Sequence, residues 1–138
     1  MIDLSLALAL RESGMEWRPA PGDRFTVTAP EMADDVFHVA DMVIEVRHLE
    51  TGTIFAFNGT TEWALDSVAQ EKTVWLPDET HLRTALGTAF HQLVRRDDQY
   101  VVTVSREGEE RDFGAVDVEN AYGEALLFVL TGESAPTM

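Results

Sequence analysis

The sequence predicts an α+β fold: a single domain with a mainly antiparallel sheet packed by about three helices. Strand-like segments cluster at 25–57 and 99–113 instead of alternating with helices, a pattern typical of α+β proteins. Two apolar repeats with helical spacing follow Asp78 and Asp117. The length of 138 residues and the apolar content of 45% suit one core. We expect the domain to cover 1–132 and the tail 133–138 to fray.

The first predicted element is a helix over 4–13. Asp3 is a suitable N-cap, and Gly14 stands where a left-handed residue would end the helix. Leucine and alanine cover nearly its whole surface, which is typical of a helix buried between layers or under a partner. This helix is therefore our candidate for part of a possible homodimer interface. The next segment, WRPAPGD, is predicted to be a loop, because its two prolines exclude a regular element and Pro-Gly-Asp favours a tight turn.

The central part of the chain reads as an antiparallel meander that leads into a short helix. A hairpin turn is expected at Thr51-Gly52. Thr60 or Thr61 is expected to cap a short helix over 62–68. The predicted strands cover 25–28, 36–40, 42–49, 53–57 and 73–76.

Apolar spacing predicts one long helix over 78–95, with Gly87 inside it as a kink or an early stop. After it, a hairpin is expected from strands 99–106 and 110–113, turning at Glu107-Gly108. Asp117 is expected to cap a last helix that ends at Gly132.

The net charge of −15, from 25 acidic and 10 basic residues, disfavours nucleic acids and anionic membranes as partners. Basic protein surfaces, cationic ligands or metal ions would suit this charge, although acidity also serves solubility alone. The absence of cysteine excludes disulfides and thiolate chemistry. The apolar run 4–10 follows no basic residue and is short for a secretory signal, so we expect a cytoplasmic protein.

Sequence motifs for catalysis and cofactor binding are absent. The chain contains no G-x-x-x-x-G-K-[ST], G-x-G-x-x-G, G-x-S-x-G or H-E-x-x-H. We therefore assign no catalytic residue and no cofactor, and without a phosphate loop the chain is not expected to be an ATPase. Asp34, Asp35 and Asp41 lie near His38 and offer hard ligands for calcium or magnesium. Their spacing matches no closed motif, so we predict no metal site and keep a metal-dependent protein only as an alternative.

The segment 57–77 holds the strongest candidate for a binding site. Glu62 and Asp66 are four residues apart, so both carboxylates would share one helical face beside Trp63. Such a pair could serve acid–base catalysis, contact a cationic partner, or only complement the helix dipole. The aromatic residues around it would line a ligand site or form the core itself. The candidate binding residues are Asn58, Glu62, Trp63, Asp66, Trp75 and Trp17.

The segments SLALALRESGMEWRPAPGDRF, FNGTTEWALDSV, VWLPDETHLRTALG and AYGEALLFVL resemble an uncharacterised family of small actinobacterial proteins. Some of its members are labelled CpaE-like pilus assembly proteins. The resemblance covers nearly the whole chain and implies a link to pilus assembly. It does not imply ATPase activity here, because the phosphate loop is missing and the chain is about half the size of such a domain. The expected function is a non-enzymatic protein-binding or adaptor module; the alternative is a small enzyme or ligand-binding protein around Trp63.

Overall fold

The computed structural model describes residues 1–28, 35–38, 44–49, 52–57, 67–69 and 72–133, with the backbone alone for 38, 44–49, 52–57 and 67–69. Within these ranges the predicted α+β class is confirmed, since three α-helices accompany antiparallel sheets. The helices are α1 (Leu4–Glu12), α2 (Glu79–Leu86) and α3 (Val118–Thr131). The strands are β1 (Arg24–Val27), β2 (Phe37–His38), β3 (Ile44–Leu49), β4 (Gly52–Phe57), β5 (Ser67–Ala69), β6 (Thr73–Trp75), β7 (Phe90–Arg96), β8 (Gln99–Arg106) and β9 (Glu109–Ala115).

The chain divides into two compact units, 1–16 with 77–138 (unit 1) and 17–76 (unit 2). The described strands form three sheets of three strands each, in the orders β2-β1-β6, β3-β4-β5 and β7-β8-β9. The first two sheets belong to unit 2 and the third to unit 1. The residues that we assigned to one sheet are therefore distributed over three. A single domain over 1–132 stays a prediction.

Unit 1 consists of the three helices and the β7-β8-β9 sheet. Helix α3 packs on β8 and β9 and also contacts α1 and α2. Its core is almost closed to solvent, because each of the following side chains is at most 1% exposed: Leu10, Leu82, Val102, Val104, Ala121, Tyr122, Ala125 and Leu126. The hairpin turn at Glu107-Gly108 is confirmed, with φ of +51° and +82°. Such angles suit the tight turns that join antiparallel strands.

The ends of α3 follow the sequence prediction closely. The Asp117 carboxylate accepts a hydrogen bond from the Glu119 N–H at 3.1 Å, and Gly132 ends the helix in the left-handed region at φ +79°. Gly14 likewise follows α1 at φ +103°. Asp3 occupies the N-cap position of α1, but its side chain makes no capping hydrogen bond. Its backbone N–H instead donates to Asn120 Oδ1 at 2.8 Å.

The predicted helix over 78–95 is wrong beyond Leu86, and of the two alternatives for Gly87 the early stop is confirmed. A 3-10 turn occupies Gly87–Ala89, and β7 begins at Phe90. Gly87 adopts φ +54°, which ends the helix at that residue. Leu93 and Val94 then pair with Val102 and Val101 of β8. The apolar repeat continued past Gly87 because these residues also suit a strand, and sheet pairing decided between the two conformations.

The predicted helix over 62–68 is wrong at its end, because Ser67 and Val68 lie in β5. There, Val68 pairs with Phe55 of β4, and a β-branched side chain favours this extended conformation. Residues 62–66 lie outside the described residues, as do the cap candidates Thr60 and Thr61. The β3–β4 hairpin is confirmed by the pairing of Ile44 with Phe57 through to Leu49 with Gly52. The predicted strand over 73–76 is confirmed as β6.

Candidate functional site

The small β2-β1-β6 sheet of unit 2 arranges aromatic side chains on one face. Phe25 of β1 lies opposite Phe37 of β2 and opposite Trp75 of β6. Residues that are directly opposite in an antiparallel sheet project their side chains from the same face. The Phe25 and Phe37 ring centroids are 5.6 Å apart. We call Trp17, Phe25, Phe37 and Trp75 the aromatic cluster.

Trp17 joins this cluster from the loop before β1. Its indole is stacked on Trp75, with centroids 6.0 Å apart and ring planes inclined by 7°. It also contacts Phe25, whose ring centroid is 5.7 Å away. Because Phe25 and Trp75 are paired residues on the adjacent strands β1 and β6, Trp17 can contact both rings. Such pairs of rings add about 0.5–1.5 kcal/mol beyond the apolar area that they bury.

Asp23 holds the Trp17 loop in place. Its carboxylate oxygen Oδ2 accepts hydrogen bonds from Trp17 Nε1 at 2.9 Å and from the Ala20 backbone N–H at 3.0 Å. The Asp23 backbone N–H donates to the Ala20 carbonyl at 3.1 Å, which closes the turn. Gly22 adopts φ +92° in this turn, a conformation that side chains rarely accept. Asp23 is only 6% exposed, so the turn and the indole share a buried acceptor.

The aromatic cluster combines a buried base with a partly exposed surface. Phe25 is fully buried, whereas Trp17, Phe37 and Trp75 each remain partly exposed. Val36, which precedes Phe37, is 40% exposed. Unit 2 carries ten acidic and four basic residues, a net charge of −6. The arrangement is therefore a partly exposed aromatic surface on a negatively charged unit.

Two of the six predicted binding residues, Trp17 and Trp75, come together in this cluster. Asn58, Glu62, Trp63 and Asp66 lie outside the described residues, so their contribution stays a prediction. Sequence reasoning did not select Phe37 or Asp23 for the site. The alternation of strand residues offered a signal for Phe37, and a Pro-Gly-Asp turn shortly after a tryptophan offered one for Asp23.

The histidines of unit 1 have local structural partners. His81 completes a capping box at the start of α2: its N–H donates to Asp78 Oδ1 at 3.0 Å, and its Nδ1 faces the Asp78 N–H at 3.4 Å. His91 lies on β7, where Nε2 is 2.9 Å from Ser105 Oγ on β8. Within the described ranges, no three His, Asp or Glu side chains converge as metal ligands would. Of the metal alternative, Asp34 and Asp41 lie outside those ranges, and Asp35 is exposed.

The serine–histidine pair on β7 and β8 is best explained by cross-strand contacts. His91 is exposed on the sheet surface. Hydrogen bonds between side chains of neighbouring strands also occur elsewhere on this sheet without any nucleophilic meaning, since Thr103 Oγ1 donates to Asp112 Oδ1 at 2.6 Å. A catalytic histidine needs a third group that orients it, and the hydrogen bonds of the described residues give His91 only Ser105.

Comparison with known proteins gives this chain no relative: no family model, no curated protein and no solved structure matches it. None of the helices in the described part of the chain is long and apolar enough to cross a membrane.

Proposed function

We propose that this chain is a non-enzymatic protein-binding module of the cytoplasm, which contacts its partner through the aromatic cluster. The observation that carries the proposal is the stacked, partly exposed pair of Trp17 and Trp75. Tryptophan is enriched among the residues that dominate interface energies, because it offers a large rigid surface at a small loss of conformational entropy. Asp23 strengthens this assignment, since its bond to Nε1 fixes the Trp17 ring before any partner arrives.

The chemistry of the cluster favours a basic partner surface. Unit 2 has a net charge of −6 and the whole chain −15, so positive proteins would be attracted and acidic ones repelled. The faces of tryptophan rings attract arginine and lysine directly, by about 0.5–1 kcal/mol at exposed sites. A partner that presents arginine next to apolar side chains would satisfy both features.

Affinity capture from the native cytoplasm, followed by mass spectrometry, tests the proposal. We expect a stoichiometric partner that is retained by the unaltered chain and lost with Trp17→Ala. Residues of this class weaken binding by about 2 kcal/mol or more when truncated, which is a loss of thirtyfold or greater. Leu130→Ala is the matched control, because Leu130 is 41% exposed, belongs to unit 1 and lies near the C-terminal end of α3.

Trp17→Phe separates binding from folding. It keeps an aromatic ring on Trp75 and Phe25 but removes the Nε1 donor to Asp23. If the Trp17→Ala chain keeps the near-ultraviolet circular dichroism of its remaining tryptophans and still retains the partner, the proposed surface is wrong. Capture of no partner would favour the second candidate, a ligand-binding protein or small enzyme around Trp63. A screen of metabolites by tryptophan fluorescence would then be the next experiment.

The pilus role rests on the family resemblance alone and is proposed only on that basis. A captured partner that belongs to a pilus assembly system would support it. A partner from any other process would count against the role while leaving the binding module intact.

A further inference from the structure

Three exposed apolar side chains adjoin the start of α3 in unit 1. Met1 is 47%, Leu4 43% and Val116 72% exposed. The Met1 α-ammonium group hydrogen-bonds the carboxylate of Asp117, the residue that follows Val116. Leu4 begins α1 directly after Asp3, whose N–H is bound by Asn120 in the first turn of α3. These contacts bring Met1, Leu4 and Val116 to one end of the helix pair, and we call them the N-terminal patch.

Val116 is exposed although its position, directly before the N-cap of α3, commonly gives an apolar side chain a packing partner. The residue before an N-cap commonly packs on the fourth residue of the helix and so fixes the direction in which the chain enters. Here that partner is Ala121, which is fully buried, while Val116 stays 72% exposed. By contrast, Ile2, which stands between Met1 and Leu4 in the chain, is only 3% exposed and approaches Gly123. The same short segment thus places one apolar side chain inside and leaves its flanking residues outside.

Carboxylates surround the patch. Asp3 precedes Leu4, Asp117 follows Val116, and Glu119 lies 3.3 Å from the Met1 nitrogen. The Met1 α-ammonium group pairs with Asp117 and Glu119, whereas the exposed Asp3 lies outside that contact. A second copy of the chain would bring an identical acidic margin and a total charge of −15 against the first. The charge therefore argues against self-association through this patch and favours a positively charged occupant.

We propose that the N-terminal patch is a second contact surface, and that it binds an amphipathic basic segment of a partner protein. Apolar side chains of the segment would cover Met1, Leu4 and Val116, and its arginine or lysine residues would face Asp3 and Asp117. The patch belongs to unit 1 and the aromatic cluster to unit 2. Two surfaces on separate units would make the chain an adaptor, and this inference does not depend on the function proposed for the aromatic cluster.

The test uses a synthetic helical peptide with leucine at positions i, i+3, i+4 and i+7 and arginine elsewhere. The comparison peptide replaces each arginine with glutamate. Binding to the ¹⁵N-labelled full chain is followed by chemical-shift changes at Met1, Leu4, Val116 and Asn120. We expect these changes with the arginine peptide alone, and we expect the affinity to fall as salt is raised, because the outer contacts are charged.

Val116→Ser and Leu4→Ser should each weaken binding by about tenfold, the effect of losing one buried aliphatic contact. Leu130→Ser is the matched control, because Leu130 is likewise an exposed aliphatic residue, at 41%, but lies near the other end of α3. Trp17→Ala should leave the patch unaffected, which separates failure of this proposal from failure of the aromatic site. Equal binding of both peptides, or equal losses with Leu130→Ser, would overturn the proposal. So would self-association of the chain alone that Val116→Ser abolishes in sedimentation, since a second copy would then occupy the patch.

Discussion

The two units treat their aromatic side chains differently. In unit 1, Tyr122 and Phe128 are at most 2% exposed, and Phe113 is 9% exposed. Arginines of the same unit lie over the rings of Phe128 and Tyr100: Arg111 is 4.7 Å from the first centroid and Arg95 is 5.6 Å from the second. In unit 2, Trp17, Phe37 and Trp75 stack on each other or on Phe25 and remain partly exposed.

This difference indicates that the rings of the two units have different roles. Unit 1 buries Phe113, Tyr122 and Phe128 in its own core, where they support α3 on the sheet, and leaves Phe90 and Tyr100 partly exposed. Unit 2 has strands of only four, two and three residues in the sheet that carries its rings. So small a sheet buries little area, and Trp17, Phe37 and Trp75 each keep part of their surface exposed to solvent. Substitutions at Asp23 and in the α1–α3 contact test whether Asp23 secures that surface and whether unit 1 is as tightly packed as its burial implies.

The largest effect is expected from Asp23→Ala in unit 2. This change removes the acceptor that Trp17 Nε1 and the Ala20 N–H share. Hydrogen bonds to charged groups contribute about 1.5–3 kcal/mol, so the free energy of unfolding should fall by an amount in that range. The Trp17 fluorescence should also shift to longer wavelength, because the ring would lose its fixed place on Trp75.

Asp23→Asn is the matched control for that prediction. An asparagine amide oxygen can accept the same bonds without the charge, so it should retain most of the stability and the fluorescence of the unaltered chain. Urea unfolding monitored by tryptophan fluorescence measures both quantities. If Asp23→Ala leaves the emission unchanged, the carboxylate does not position the ring, and the contrast between the units loses its main support.

A smaller loss is expected from Gly123→Ala in unit 1. Alanine favours a helix interior over glycine by about 1 kcal/mol, so a loosely packed α3 would become more stable. The added Cβ, however, would lie 2.6 Å from Leu6 Cδ2 and 3.2 Å from Ile2 Cδ1. Overpacking of this kind costs about 1–3 kcal/mol, and we expect net destabilisation in urea unfolding.

A double-mutant cycle identifies the cause of that loss. Leu6→Ala alone should destabilise the chain, because Leu6 of α1 is 8% exposed and its side chain lies against Gly123 of α3. Combined with Gly123→Ala it should cost less than the sum of the two single changes, since the shortened side chain makes room for the new methyl group. Strict additivity, or stabilisation by Gly123→Ala alone, would show that α1 does not approach α3 as closely as described.

Local signals in the sequence predicted helix ends correctly, whereas features that depend on pairing or packing could not be predicted. Asp117, Gly132 and Gly14 carried local signals that act within one turn, and the structure uses each as expected. Leu93 and Val94 carried an apolar repeat that suits either a helix or a strand, and only their pairing with Val101 and Val102 decided it. The apolar surface of α1 likewise predicted burial, but not that Leu6 and Leu10 would be buried while Leu4 stayed exposed.

The candidate site was predictable only in part, for a similar reason. Trp17 and Trp75 were selected as large aromatic residues, but 57 residues of chain lie between them. Their stacking depends on the register of β1 with β6, which places Phe25 opposite Trp75. No local pattern specifies that register. The bond from Trp17 to Asp23 could not be predicted in this way. An aspartate after Pro-Gly is already explained as a turn residue, so that signal did not indicate a second role for it.

The smallest effect is expected on the pH dependence of stability. It tests the pairing of the Met1 α-ammonium group with Asp117 and Glu119 in unit 1. The hydrogen bond to Asp117 raises the pKa of the Met1 α-ammonium group above its usual 8.0, against the opposing effect of burial, and Glu119 raises it further. A group whose pKa is raised on folding stabilises the folded chain fully below its unfolded pKa. That stabilisation is lost as the pH rises through the folded value. We therefore expect stability to decline above about pH 8.

The composition makes this alkaline range unusually clear to interpret, because the chain has one lysine, two tyrosines and no cysteine. Asp117→Asn keeps an N-cap acceptor for α3 but removes the charge that faces Met1. The contribution should be about 0.2–1 kcal/mol, as for other solvent-exposed ion pairs. Urea midpoints between pH 7 and pH 10 should accordingly fall more for the unaltered chain than for Asp117→Asn. Parallel declines would mean that the α-ammonium group does not stabilise the start of α3, and the charge margin of the N-terminal patch would then be more negative than its contacts imply.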